Sequence, residues 1–207
     1  MLALTIIVIG SYLLGTIPAG YLAGRLAGID IRKYGSGNIG ATNVGRVLGK
    51  RYGYPVFAAD FLKGFAAVRM SIFVGARMLP DWNSPEIFGI LATVSSVIGH
   101  SFPIWLKFAG GKGVATSAGA LFGLLPVITL IGAAIWMLIF WMTRYVSLAS
   151  ITAAVMLPLL ILIKTWSHPA HKPLFYFSLF LAAIVIWRHR SNLSRLVRGT
   201  EPRFTRK

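Results

Sequence analysis

The chain has 207 residues, 56% of them hydrophobic, with a mean hydropathy of +0.72 and a formal net charge of +16. That apolar content excludes a soluble domain with one packed core and puts the chain in a bilayer. The lack of cysteine excludes thiol nucleophiles, disulfides and thiolate metal sites, and the basic residues flank apolar helices, which reads as topogenic charge and anionic-headgroup binding with no nucleic-acid partner.

Met1 to Gly24 is uncharged and apolar and lacks the basic start and small-residue cleavage site of a secretory signal, so it is expected to be a permanent first helix. A polar, glycine-studded loop follows: Gly35, Ser36, Gly37, Asn38, Ile39, Gly40, Ala41, Thr42, Asn43, Val44, Gly45, Arg46. Small residues expose backbone N–H groups, hydroxyls and amides add short donors, and Arg46 adds a positive fork, a set that can surround a phosphate. Tyr54 to about Ala76 fits a second span, on which Asp60 and Lys63 lie one turn apart and can pair; a structural ion pair and a catalytic carboxylate are both open.

Ile87 to Leu106 fits a third span and carries His100 near its end, read as a helix-end histidine. A second glycine loop comes after Phe108, with Gly110, Gly111, Lys112 and Gly113 leading into Thr116 and Ser117 and a helix expected to begin near Gly113. Gly113 to Thr143 is too long for one span and short for two, with Pro126 near its middle. Val146 to Ile163 is a further span, whose Ser147 and Ser150 are either helix caps or ligand hydroxyls. Pro173 to Trp187 is a short last span whose start can extend toward Pro169. Beyond it come Arg188, His189, Arg190 and Asn192; His189 and Asn192 are expected on one helical face, and Glu201 in a structural salt bridge.

Charge resolves the ambiguous stretch. If it breaks at Pro126 into a hairpin, the basic residues of Arg25 to Arg51, Lys107 to Lys112, Arg144 and Arg188 to Lys207 share one side, leaving Arg77, Lys164 and Lys172 opposite. The expectation is therefore an all-α integral membrane protein of seven transmembrane helices, amino terminus outside and carboxyl terminus cytoplasmic, with both glycine loops facing the cytoplasm. With no internal repeat and no low-complexity linker, residues 1–207 read as a single membrane domain.

Two nucleotide motifs fail. Gly35 to Gly40 matches G-x-G-x-x-G, but no strand precedes it, and Gly111-Lys112 is followed by Gly113 where a P-loop needs Ser or Thr. What remains is anion binding by small residues, a basic side chain and a helix amino terminus. Two phosphorylated substrates are one expectation. An organic-phosphate transporter or exchanger is the alternative, although such proteins place these elements near the midplane of related halves.

These segments resemble the PlsY family, the bacterial acyl-phosphate:glycerol-3-phosphate acyltransferases. The first signature is Gly35 to Asn43 with Arg46; the second is Gly99-His100 through Phe102-Pro103 into Gly110 to Thr116; the third is Arg144 to Ser150 with Arg188-His189-Arg190-x-Asn192 and Glu201. One position departs: the family usually carries Lys before the paired glycines, whereas this chain has Ala109, with Lys107 two positions earlier. The thioester-using class of glycerol-phosphate acyltransferases is excluded by its H-x-x-x-x-D dyad. Five residues after His100, His168, His171 and His189 stand Trp105, Pro173, Tyr176 and Ser194.

The resemblance implies a seven-helix enzyme of the bacterial inner membrane that acts as a monomer without cofactor or metal. It would move a fatty acyl group from acyl phosphate to the 1-hydroxyl of glycerol 3-phosphate, taking both from membrane lipid and cytoplasm as partners. Ser36, Arg46, Lys112, His189 and Asn192 would act in catalysis. Gly37, Asn38, Gly40, Thr42, Asn43, Gly110, Gly111, Gly113, Thr116, Ser147 and Ser150 would bind substrate and phosphate.

Overall fold

The computed structural model describes residues 1–82, 84–165 and 172–204. The chain divides into two compact units, Met1–Leu124 and Leu125–Lys207.

The first unit begins with α1 (Leu2–Gly15) and α2 (Ala19–Leu26). The apolar run expected as one helix is broken between them, because Pro18 has no N–H to continue the ladder and disfavours a helical Ile17. Thr16 closes α1 by donating its hydroxyl to the Leu13 carbonyl (2.7 Å). The short helix α3 (Ala41–Val47) follows, then α4 (Lys50–Met78), α5 (Pro85–Ser101) and α6 (Val114–Leu124).

At 29 residues α4 begins earlier than its apolar stretch, taking in Lys50 and Arg51. Its length of about 43 Å exceeds the ~30 Å hydrocarbon layer, so its polar end extends beyond the lipid. It packs on α6, α5, α1 and α3. Small residues let these helices approach closely: a side chain on Gly64 would meet the Thr116 carbonyl, and one on Gly119 the Phe61 carbonyl. Such contacts substitute for the hydrophobic drive that lipid cannot supply between helices.

The second unit holds α7 (Pro126–Thr143), α8 (Val146–Thr165), α9 (Lys172–Arg188) and α10 (Arg190–Val197), with α8 packed on α7 and α9 and α10 against α8 and α9. Pro126 opens α7 at its first turn, where its missing N–H costs nothing. The helix break expected there is present. Large apolar side chains of α7 such as Trp141 (68% exposed) and Met142 (65%) face outward, as suits a lipid-facing helix.

Among the described residues, helices are present throughout and four apolar segments are long enough to cross a membrane: Leu2–Leu26, Pro85–Leu106, Pro126–Thr143 and Val146–Ile163. The eleven-residue α6 spans only about 16 Å. An extension of α9 toward Pro169 lies outside the described residues.

Candidate active site

The first loop is organised by one buried side chain. Asn43 accepts a hydrogen bond from the Ser36 N–H at Oδ1 (2.8 Å), and its Nδ2 donates to the carbonyls of Asn38 (2.8 Å), Tyr34 (3.1 Å) and, at longer range, Ile31 (3.4 Å). Asn38 Oδ1 in turn accepts from the Gly40 N–H (2.8 Å), a side-chain turn typical of Asn. Gly35 and Gly37 adopt φ of +58° and +70°, which their lack of Cβ permits.

The sequence reading is corrected here in one respect. It expects Asn43 and the loop amides to meet a ligand, but the Asn43 amide and the N–H groups of Ser36, Gly37 and Gly40 are spent holding the loop in shape. What the loop presents outward is the Ser36 side chain and, from α3, Arg46, both exposed, with Thr42 half-buried on the first turn. Just upstream, Asp30 receives a two-pronged contact from Arg32 (2.7 and 2.9 Å), which lies over the Tyr21 ring. That hydrogen bond, with the Arg32 charge, draws the Asp30 carboxyl down to about 2.

The second loop is laid across the end of α5. The Gly111 N–H donates to the His100 carbonyl (3.1 Å) and the Gly110 N–H to the Ser101 carbonyl (3.2 Å), so these two amides cap α5, where the sequence reading has them cradle an anion. Lys107 and Phe108 turn the chain at φ of +52° and +62°, just ahead of Ala109. Gly113, at φ +82°, starts α6, as the sequence expects. Lys112 is half-buried between the capping pair and that helix start. Thr116 is fully buried, and its hydroxyl and those of Ser101 and Ser117 have no hydrogen-bond partner among the described residues.

Behind this loop lies a buried cluster of charge. Lys63 Nζ sits 2.7 Å from Asp60 Oδ1, as the spacing on α4 suggests, and also donates to the Ile17 carbonyl (2.8 Å) and meets His100 Nδ1 (3.0 Å). The Ile17 carbonyl lies at the break between α1 and α2. His100, read from sequence as a simple helix-end residue, joins the pair because α5 packs on α4; a separation of 37 positions from Lys63 hides this in the sequence.

In the second unit the tail folds back onto the start of α8. Glu201 accepts from Ser147 Oγ (2.6 Å), Asn192 Nδ2 (2.6 Å) and Arg195 Nε (2.8 Å). Burial pushes the Glu201 carboxyl up, but the hydrogen bonds from Ser147, Asn192 and Arg195 outweigh it and hold the group below its usual range. The Phe204 N–H reaches the Arg144 carbonyl (2.8 Å), and Arg203 reaches the Tyr145 hydroxyl (3.2 Å). The three parts of the third sequence signature are thus joined through one carboxylate.

This revises four side chains. Ser147 donates its hydroxyl to Glu201 instead of capping α8. Ser150 bonds back to the Val146 carbonyl (2.8 Å) and accepts from Trp136 Nε1 (3.1 Å). His189 and Asn192 do not continue α9. The helix stops at Arg188, and His189 uses both its N–H and its Nδ1 on the Val185 carbonyl (3.1 and 2.8 Å), leaving the chain to restart as α10. A carbonyl can only accept, so His189 Nδ1 carries a proton, which makes Nε2 the acceptor of the neutral ring.

The profile of the glycerol-3-phosphate acyltransferase family matches residues 5–199. A protein of that name from Synechococcus elongatus is 47% identical over 99% of this chain and 96% of its own; one from Aquifex aeolicus is 41% identical over 96% and 97%. Among solved structures, the chain superposes on the integral membrane glycerol 3-phosphate acyltransferase PlsY in its glycerol 3-phosphate form with a TM-score of 0.85 at 39% identity, covering 98% and 96% of the two chains. The lysophosphatidic acid form gives 0.82 at the same identity. Matches of this length and identity in both sequence and fold make the chain an all-helical membrane protein that belongs to the glycerol-3-phosphate acyltransferase family.

Proposed function

We propose that the protein transfers a fatty acyl group from acyl phosphate to the 1-hydroxyl of glycerol 3-phosphate, releasing 1-acylglycerol 3-phosphate and inorganic phosphate. The single observation that carries this is the superposition, over nearly the whole chain, on a solved acyltransferase in forms named for its glycerol 3-phosphate and lysophosphatidic acid complexes. The missing H-x-x-x-x-D dyad supports acyl phosphate as the donor.

Acyl phosphate is already an activated anhydride. The acceptor hydroxyl attacks the acyl carbon, the bond from that carbon to the phosphate oxygen breaks, and the hydroxyl proton passes to a base. A catalyst for this step needs to position two anions and stabilise developing charge, and needs no covalent nucleophile. That suits the exposed Ser36 and Arg46 and the half-buried Lys112. Ser36 orients a substrate oxygen, and Arg46 and Lys112 offset phosphate charge, aided by Thr42 and by the amides of Lys112, Gly113 and the first turn of α6.

In the second unit, His189 has its ring fixed by Val185, which turns Nε2 into a candidate acceptor for the hydroxyl proton. The departing phosphate is the other acceptor. Asn192, held by Glu201, supports this segment. The seven-helix topology, with the amino terminus outside and the loops facing the cytoplasm of a bacterium, is supported by the one-sided distribution of basic residues. Purified Ser36→Ala and Arg46→Ala test the assignment: each should lose ~100-fold in turnover, and near-normal rates in both would overturn it.

A further inference from the structure

The buried Asp60–Lys63–His100 cluster takes no part in the chemistry above, yet it stands directly behind the loop that carries Lys112. Asp60 is 2% exposed, His100 5% and Lys63 7%. In the interior a lysine and a carboxylate are costly to desolvate, and replacing such a pair with apolar residues is often neutral or stabilising. A buried cluster of this kind is therefore weak evidence for a purely stabilising role.

The geometry gives them a specific task. Lys63 Nζ donates to the Ile17 carbonyl, lies 2.7 Å from Asp60 Oδ1 and meets His100 Nδ1 at 3.0 Å. His100 Nδ1 also lies 3.4 Å from Asp60 Oδ1, so both members of the pair face this edge of the ring. The ring is thereby fixed in orientation. Its Nε2 edge is set against Gly111: a Cβ there would overlap His100 Nε2 and lie 2.7 Å from Cε1 and 2.9 Å from Cδ2. The backbone of the same residue accepts the Gly111 N–H. His100 therefore holds Gly111 from two sides, and Gly111 precedes Lys112.

We infer that His100, braced by Lys63 and Asp60, is a positioning residue that sets the second glycine loop, and with it the Lys112 ammonium, at the distance from substrate phosphate that binding requires. The brace reaches from the α1–α2 break through α4 to the end of α5, so the loop is referenced to three helices. This rests on the acyl-transfer reading above.

The test is steady-state kinetics on the full-length protein in detergent, with acyl phosphate and glycerol 3-phosphate varied in turn. Lys112→Ala identifies the substrate whose KM depends on the second loop. His100→Asn keeps an acceptor for Lys63 but removes the ring edge from Gly111, and the expected result is a rise of ~10-fold in the KM of that same substrate. The KM of the other substrate should stay within about twofold, with the melting temperature close to wild type. The paired change Asp60→Asn with Lys63→Gln removes both charges together and should give the same selective rise, which decides the matter if His100→Asn does not fold. An unchanged KM, or equal losses for both substrates, would overturn the positioning role while leaving the acyl-transfer reading intact. A wild-type protein with no acyl transfer would overturn both.

Discussion

The Ser36 N–H donates to Asn43 Oδ1 at 2.8 Å, so the residue assigned to orient substrate is itself placed by a buried amide seven positions on. Asn43→Ala would leave that N–H and the Tyr34 and Asn38 carbonyls without their partner. Turnover should fall ~10- to 100-fold with Ser36 untouched, since small misplacements of a positioning group have effects of that size. Asn43→Asp is expected to be as damaging, because it keeps the acceptor for Ser36 but turns an oxygen toward carbonyls that need a donor. Activity of both purified variants checks this; wild-type activity in Asn43→Asp would refute it.

Glu201 predicts a pH-dependent stability. Glu201→Gln loses the charge behind its bonds to Ser147, Asn192 and Arg195 and should cost about 1–3 kcal/mol. The carboxyl is held below its ordinary value of 4.5 in the folded protein. Its contribution is thus complete above that ordinary value and is lost as pH falls through the lower folded one. Melting curves in detergent should show a constant gap between wild type and variant from about pH 6 to 8, closing below about pH 4.5. A gap that widened on acidification would contradict the assignment.

Glycine contacts give a paired test of packing. Gly64→Ala would press a methyl into the Thr116 carbonyl, with Ala120 N at 3.0 Å, whereas Gly132 on α7 has open space at its Cβ position. Gly64→Ala should destabilise by about 1–3 kcal/mol, and Gly132→Ala should leave the melting temperature within error. Thermal unfolding of the two variants side by side distinguishes them.

These features differ in how far the sequence reveals them. The break at Pro126 is legible because proline carries its own local rule, and the Asp60–Lys63 pair because its spacing is one helical turn. The α1–α2 break is masked by uninterrupted hydropathy. The early start of α4 at Lys50 is masked by charge, since a helix can begin in water before it enters lipid. The two glycine loops read correctly as special backbone, but the N–H groups of Ser36, Gly37, Gly40, Gly110 and Gly111 are taken up within the fold: whether an N–H meets a ligand or a carbonyl depends on what the fold brings near it. Gly110 and Gly111 lie over the last carbonyls of α5, and Asn43 gathers carbonyls from as far back as Ile31. Glu201 and Ser147 are 54 positions apart, and only the folded tail shows that the acid organises the third signature.

The purified protein in detergent, given acyl phosphate and glycerol 3-phosphate and no other acyl donor, should form 1-acylglycerol 3-phosphate and release one phosphate per product, both detected directly by mass spectrometry and phosphate assay. Product formed with an acyl thioester but not with acyl phosphate, or no acylated product from either, would contradict the account.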